Sequence, residues 1–197
     1  TSITKGSKTQ LEKARSIFAY VRDHFDCTDH SELYLDASLK DIFKKKSGSV
    51  AEINLLLVAM LRHEKINASP VILSTRGHGF TNELYPLLRR FNYVAALATI
   101  DSLDYPLDAS SPYNAFGRLP SYCYNGHSRL IEADNAEPLY FIADSIKEQK
   151  LTTVYIANEE KGGMTGSFSS QLGYYESAEL REKLKGAAAS YFKDFKP

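Results

Sequence analysis

Apolar residues recur at steps of three and four between Thr9 and Phe25. Leu11, Ala14, Ile17, Phe18, Val21 and Phe25 share one face, which predicts an amphipathic helix. Asp36 to Phe43 is a shorter helical segment with Leu39, Ile42 and Phe43 turned inward. Gly48 and Ser49 supply a turn and a cap, and a third helix runs from there to His63. Its stripe is Ile53, Leu56, Leu57, Met60 and Leu61, with Leu55 and Val58 on the other side. A helix that is apolar nearly all round belongs in the middle of a domain. The period then changes. Ser69 to Ser74 is a short strand entered through Pro70. Gly77 to Glu83 is a loop. Tyr93 to Asp101 is an apolar run with β-branched residues. It ends at the turn Asp101-Ser102-Leu103-Asp104 and returns as Tyr105 to Asp108, a hairpin pattern.

Ser110 to Pro120 is rich in Ser, Pro, Asn and Gly and is expected to be a long surface loop. Short strands are expected at Arg129 to Ile131 and at Tyr140 to Ile142. Longer ones are expected at Leu151 to Asn158 and Met164 to Tyr175, joined by a polar turn, Glu159 to Gly163. Ser177 is expected to cap a last helix through Phe192. Helices followed by mostly antiparallel strands predict an α+β fold. The expected division is a first domain over 1–150 and a strand–strand–helix segment over 151–197, the start of a following β-rich domain.

Composition narrows the function. The formal net charge is zero, so nothing electrostatic favours nucleic acid or an anionic membrane as partner. No apolar run is long enough to span a bilayer. Thr1 to Arg15 has no apolar signal-peptide core, and the chain is expected to be a piece of a longer exported polypeptide. The two cysteines, Cys27 and Cys123, are too few for a disulfide framework or an all-cysteine zinc site. A single bridge between them requires a geometry that sequence does not test. The histidines at 24, 30, 63, 78 and 127 are scattered without metal-ligand spacing. No metal and no cofactor is expected.

Two stretches carry a resemblance. Lys45 to Leu73, KKSGSVAEINLLLVAMLRHEKINASPVIL, and Phe91 to Ser110, FNYVAALATIDSLDYPLDAS, are similar to the core of the transglutaminase-like, papain-related cysteine hydrolase superfamily. That resemblance covers Gln10 to Ile131. It implies a central helix packed on a sheet and a Cys–His–Asp site. In that family a Gly-x-Cys turn opens the helix, an F-N-H-V strand carries the His, and an L-D-A-T strand carries the Asp. Here Gly48-Ser49-Val50 puts Val50 at the Cys position. Phe91-Asn92-Tyr93-Val94 puts Tyr93 at the His position. Leu107-Asp108-Ala109-Ser110 keeps the Asp.

The chemistry needs a thiol poised as thiolate, a base, and a group that orients the base. Val50 has no nucleophilic atom. Tyr93, with an ordinary pKa near 10, is a poor base at neutral pH. Asp108 has lost the imidazole it would orient. Ser49 and Cys123 are the fallback nucleophiles. Ser49 reads first as a helix cap, and Cys123 as a buried structural thiol. The family often has a T-R-x-H-G-like stretch after the first strand, here Thr75-Arg76-Gly77-His78-Gly79. Arg76, His78, Tyr93 and Asp108 are the candidate ligand contacts. Thirteen Tyr and no Trp suit a surface that binds peptide or glycan. The reading is a non-catalytic transglutaminase-like domain acting as a binding or structural module, with peptide, protein or glycan as partner and the cleft between residues 50, 93 and 108 as the expected ligand groove. It would serve a larger bacterial envelope or secreted protein, in the periplasm, at the outer surface or outside the cell. The alternatives are a cysteine- or serine-type peptidase or amidase with a displaced nucleophile, and a purely architectural spacer whose cleft is filled by Val50 and Tyr93.

Overall fold

A computed structural model describes residues 2–132, 136–159, 162–185 and 190. The chain divides into two compact units, Thr1–Ser145 and Ile146–Pro197. The fold is α+β.

In the first unit, α1 spans Gln10–His24 and opens on a reciprocal cap. Thr9 Oγ1 accepts from Glu12 N–H at 3.1 Å, and Glu12 Oε2 accepts from Thr9 N–H at 3.3 Å. The short strand β1, Asp26–Asp29, follows. Helix α2 occupies Leu39–Lys45, later than the expected Asp36 to Phe43, because Ser38 rather than Asp36 supplies its N-cap. Strand β2, Ser47–Ser49, pairs in parallel with β1 and leads straight into α3, Val50–His63. Neither β1 nor β2 shows in the sequence pattern, since each is too short and polar to carry a period.

Strands β3 (Asn67–Leu73), β4 (Tyr93–Ile100), β5 (Leu103–Leu107), β6 (Gly126–Ile131) and β7 (Ala136–Phe141) form one antiparallel sheet in the order β5-β4-β3-β6-β7. Pro70 sits inside β3, which is a central strand. Its missing N–H is tolerated because β6 pairs with β3 only from Val71 onward, so Pro70 has a strand on one side alone. The β4–β5 turn is two residues, not four. Asp101 and Ser102 have φ of 51° and 63°, the left-handed pair of a type I′ turn, and Leu103 already pairs with Ile100.

Alternate residues of β4 feed two cores. Ala96, Ala98 and Ile100 join α1 and α3 through Ile17, Phe18, Ile53, Leu57 and Leu61. Tyr93, Ala95 and Leu97 join Val50, Val71, Leu73, Leu119, Cys123 and Phe141. Strand β4 is thus buried on both faces. The 110–120 segment is not purely surface: Leu119 is fully buried and Ser110 and Asn114 are nearly so.

In the second unit, β8 (Leu151–Asn158) and β9 (Met164–Gln171) form a hairpin. Helix α4 is Tyr174–Leu184, so the expected strand through Tyr175 stops at Gln171. Gly173 is the N-cap. Ser177 lies within the first turn and its hydroxyl donates to the Tyr174 carbonyl at 2.9 Å. Residues 160 and 161 of the turn, and the expected helix end at Phe192, lie outside the described residues.

Candidate functional site

The turn that opens α3 is held by Glu52. Ser49 Oγ accepts from Glu52 N–H at 3.3 Å, while Glu52 Oε2 accepts from Ser49 N–H at 2.8 Å. Its other oxygen, Oε1, accepts from the backbone N–H groups of Asp36 and Ala37 at 3.2 and 3.0 Å. Glycine is required at position 48 for space. A Cβ there would lie 2.7 Å from Glu52 Oε2 and 3.0 Å from Glu52 Cβ. Val50, the first residue of the helix, is fully buried.

Asp108, just after β5, is fully buried, and its two oxygens face four donors. Oδ1 accepts from Asn54 Nδ2 at 2.9 Å and from Ser110 N–H at 3.0 Å. Oδ2 accepts from the Tyr93 hydroxyl at 2.8 Å and from Asn114 Nδ2 at 2.9 Å. A carboxylate has about four lone-pair sites, so this set is the complement of its ionised form. Asn54 ties the helix to the sheet as well. Its Nδ2 donates to the Val94 carbonyl and its Oδ1 accepts from Ala109 N–H, both at 2.9 Å. The Tyr93 oxygen also lies 3.2 Å from Ser110 Oγ and 3.3 Å from the Tyr122 hydroxyl.

The structure brings Val50, Tyr93 and Asp108 together. Val50 and Tyr93 share one core cluster, and Tyr93 bonds Asp108. It also buries all three completely, so Tyr93 and Asp108, expected as ligand contacts, lie behind the surface. Tyr122, whose ring packs edge-on against Tyr93, is 38% exposed and lines a cleft of about 400 Å³ with His30, Ser31, Thr75, Gly77, His78 and Asn92. His78 is on that cleft, with Nε2–H donating to the Arg89 carbonyl at 3.2 Å. Arg76 lines a different cleft, and its backbone N–H donates to the Tyr122 carbonyl at 3.0 Å.

Ionisation of the hydroxyls and thiols around Asp108 is disfavoured. Burial, and then the charge of Asp108, pushes the Tyr93 and Tyr122 hydroxyls and the Cys123 thiol up from their ordinary values. Burial likewise pushes the Cys27 thiol up to about 12, with a backbone hydrogen bond at Asp29 acting in the opposite direction. Ser49 caps the helix, and no imidazole is bonded to it among the described residues. Both thiols are free rather than bridged. The thiol with a neighbouring base is Cys27, not Cys123: Cys27 Sγ lies 3.6 Å from His30 Nδ1, beside the turn through its pairing with Gly48. Among the described residues no group of three or more His, Cys, Asp or Glu could hold a metal ion. No described helix is long and apolar enough to cross a membrane.

Several site residues went unremarked in the sequence. Glu52 was visible as the last position of Ser49-x-x-Glu52, a capping-box spacing. Asn54 was the lone neutral polar residue in an apolar helix. Asn92 precedes Tyr93 and joins three segments: its Oδ1 accepts from Thr75 N–H at 2.9 Å and its Nδ2 donates to Ser31 Oγ at 3.1 Å. Asn114 and Tyr122 had no local signal, because only the tertiary fold carries their segments over Asp108.

A family model described as the transglutaminase-like superfamily matches residues 1–99. No curated protein matches the chain. Among solved structures, the chain is similar to a "putative protease" from Parabacteroides distasonis. Identity is 16% and the TM-score 0.54, over 82% of this chain and 33% of that one. It is also aligned with a "putative cysteine protease" from Cytophaga hutchinsonii. There identity is 15% and the TM-score 0.42, over 86% and 48% of the two chains. The chain thus spans about a third of the length of the first and under half of the second. At such identity the first likeness is one of fold.

Proposed function

The chain belongs to the transglutaminase-like superfamily, and from that premise we propose that it is a non-catalytic member, a peptide- or glycan-binding module of a larger bacterial envelope or secreted protein. One observation carries the reading. The three positions that the family resemblance assigns to catalysis form a closed interior, with apolar Val50 at the helix start and the Asp108 carboxylate occupied by Tyr93, Asn54, Asn114 and Ser110. A carboxylate so engaged has no vacant position for an imidazole. A nucleophile at position 50 would also need a route in from solvent, and that position is fully buried.

A second reading, a cysteine peptidase or amidase with a displaced nucleophile, is favoured by the 3.6 Å approach of Cys27 to His30 at the cleft edge. The half-buried thiol, pushed up to about 12 by desolvation, opposes it, because the thiolate is the reactive form. One experiment separates the two. The full chain is treated with an epoxide probe for cysteine peptidases and assayed for peptide cleavage and amine incorporation. The non-catalytic reading expects neither labelling nor turnover. Stoichiometric labelling at Cys27, with turnover that disappears in Cys27→Ala, would replace it with the second reading.

A further inference from the structure

We propose that the cleft between the 76–83 loop and the β6–β7 hairpin binds a saccharide, with Phe80 and Tyr140 as stacking faces and His127 as the polar centre. The inference rests on the binding-module reading, names its ligand class, and places the site away from the buried 50–93–108 cluster. The cleft has a volume of about 770 Å³, and Arg76, Phe80, Glu83, Tyr124, His127 and Tyr140 are among its walls. Small-ligand sites fall at roughly 300–1,000 Å³ and pair apolar walls with a few placed polar groups.

His127 is the unusual group. It is 7% exposed. Thr81 Oγ1 lies 2.7 Å from the His127 carbonyl oxygen and 2.8 Å from its Nδ1. A hydroxyl has one proton, and a carbonyl only accepts, so Thr81 donates to the carbonyl. Nδ1 must then carry its own proton and donate it to Thr81 Oγ1. The lone pair of the neutral ring is therefore on Nε2. Burial, then the charge of Arg129, holds the imidazole below its ordinary value and favours this neutral form. Nε2 is buried and has no hydrogen-bond partner among the described residues. Native structures satisfy nearly all such atoms, so an orphan acceptor in a cleft wall calls for a donor from outside the chain.

The rings define the rest of the ligand. Phe80 is 78% exposed and Tyr140 is 48% exposed. The Tyr140 hydroxyl donates to the Glu83 carboxylate, which fixes the ring at the cleft mouth. Behind the lining, Arg129 ties β6 to the loop, donating to the backbone carbonyls of Glu83 at 2.8 Å and Ala136 at 2.6 Å. Arg76 and Glu83 bring one charge of each sign, which suits a neutral ligand. The occupant must offer O–H or N–H donors to an imidazole and a flat C–H face to aromatic rings, whose faces carry negative charge. A sugar ring offers both on one rigid unit. Nε2 has almost no accessible surface in the unliganded chain, so a sugar hydroxyl pairs with it only as the cleft wall around it shifts on binding.

The test titrates the full chain by calorimetry with short chito-, cello-, xylo- and malto-oligosaccharides, and with a set of short peptides as a second arm. At least one oligosaccharide series is expected to bind. Phe80→Ala and Tyr140→Ala should each weaken it about tenfold, whereas Leu103→Ala, on an exposed strand at the other sheet edge, should not. Nitrogen NMR of histidine-labelled protein should show the His127 Nε2 resonance moving on saccharide addition. Binding of peptides alone overturns the saccharide class and leaves the binding-module reading standing. Binding lost in His78→Ala but kept in Tyr140→Ala overturns the location. An absence of binding in both arms overturns both.

Discussion

Replacing Tyr93 by Phe removes one oxygen from the interior and leaves the ring in place. That oxygen donates to Asp108 Oδ2 at 2.8 Å and lies within reach of Ser110 Oγ and the Tyr122 hydroxyl. A hydrogen bond to a charged group contributes about 1.5–3 kcal/mol. Asp108 is fully buried, so no solvent replaces the lost donor, and Oδ2 retains only Asn114. The Tyr122 hydroxyl is at the cleft, where water substitutes, and its loss adds little. The expected destabilisation is therefore about 2–3 kcal/mol, or roughly 5–10 °C in melting temperature for a unit of this size. Urea unfolding of the full chain is followed by far-UV circular dichroism and by tyrosine fluorescence, since there is no Trp. A double-mutant cycle with Asp108→Asn isolates the pair and should return a coupling of about 1.5–3 kcal/mol. A loss below about 0.5 kcal/mol, or a coupling near zero, would mean that Tyr93 is inert filler and that Asp108 is held by Asn54 and Asn114 alone.

Other perturbations read the same interior. Gly48→Ala should destabilise by about 2–4 kcal/mol, more than the ~1 kcal/mol of Ser49→Ala, because the new methyl displaces Glu52 from three backbone donors; equal losses in thermal melts would refute the steric argument. The double variant Val50→Cys with Tyr93→His should give an alkylation profile with an apparent thiol pKa below about 8.5. A value at or above it would mean that position 50 does not face position 93. Cys27 should be alkylated slowly at neutral pH, at a rate that climbs without a plateau towards pH 12. The thiol is raised in the fold, so its contribution to stability is complete below the unfolded value of about 8.5 and is lost as pH rises towards 12. A rate plateau near pH 9 would show that the sulfur is solvated.

Periodicity and turn chemistry were enough to place α1, α3, β4 and β8. Each is long or strongly patterned, and side-chain burial along one element is a local property of its sequence. The pairing of a turn with a cap at Gly48 and Ser49 was legible for the same reason. So was the replacement of a Cys by Val50 and of a His by Tyr93, because those positions are identified by their immediate neighbours. Strands β1 and β2 were not legible. Three or four polar residues have no period, and they become strands only because the fold lays Cys27 beside Gly48. Sequence alone thus determined the class of fold and the residue types at the inherited positions. Tertiary structure decided that Asn54, Asn114, Ser110 and Tyr93 close around Asp108 and that the Tyr122 hydroxyl meets that of Tyr93. Those outcomes depend on groups up to 55 residues apart in the chain. Only the packed core brings them within hydrogen-bond reach, where burial turns each missing or added donor into a cost that the local sequence does not record.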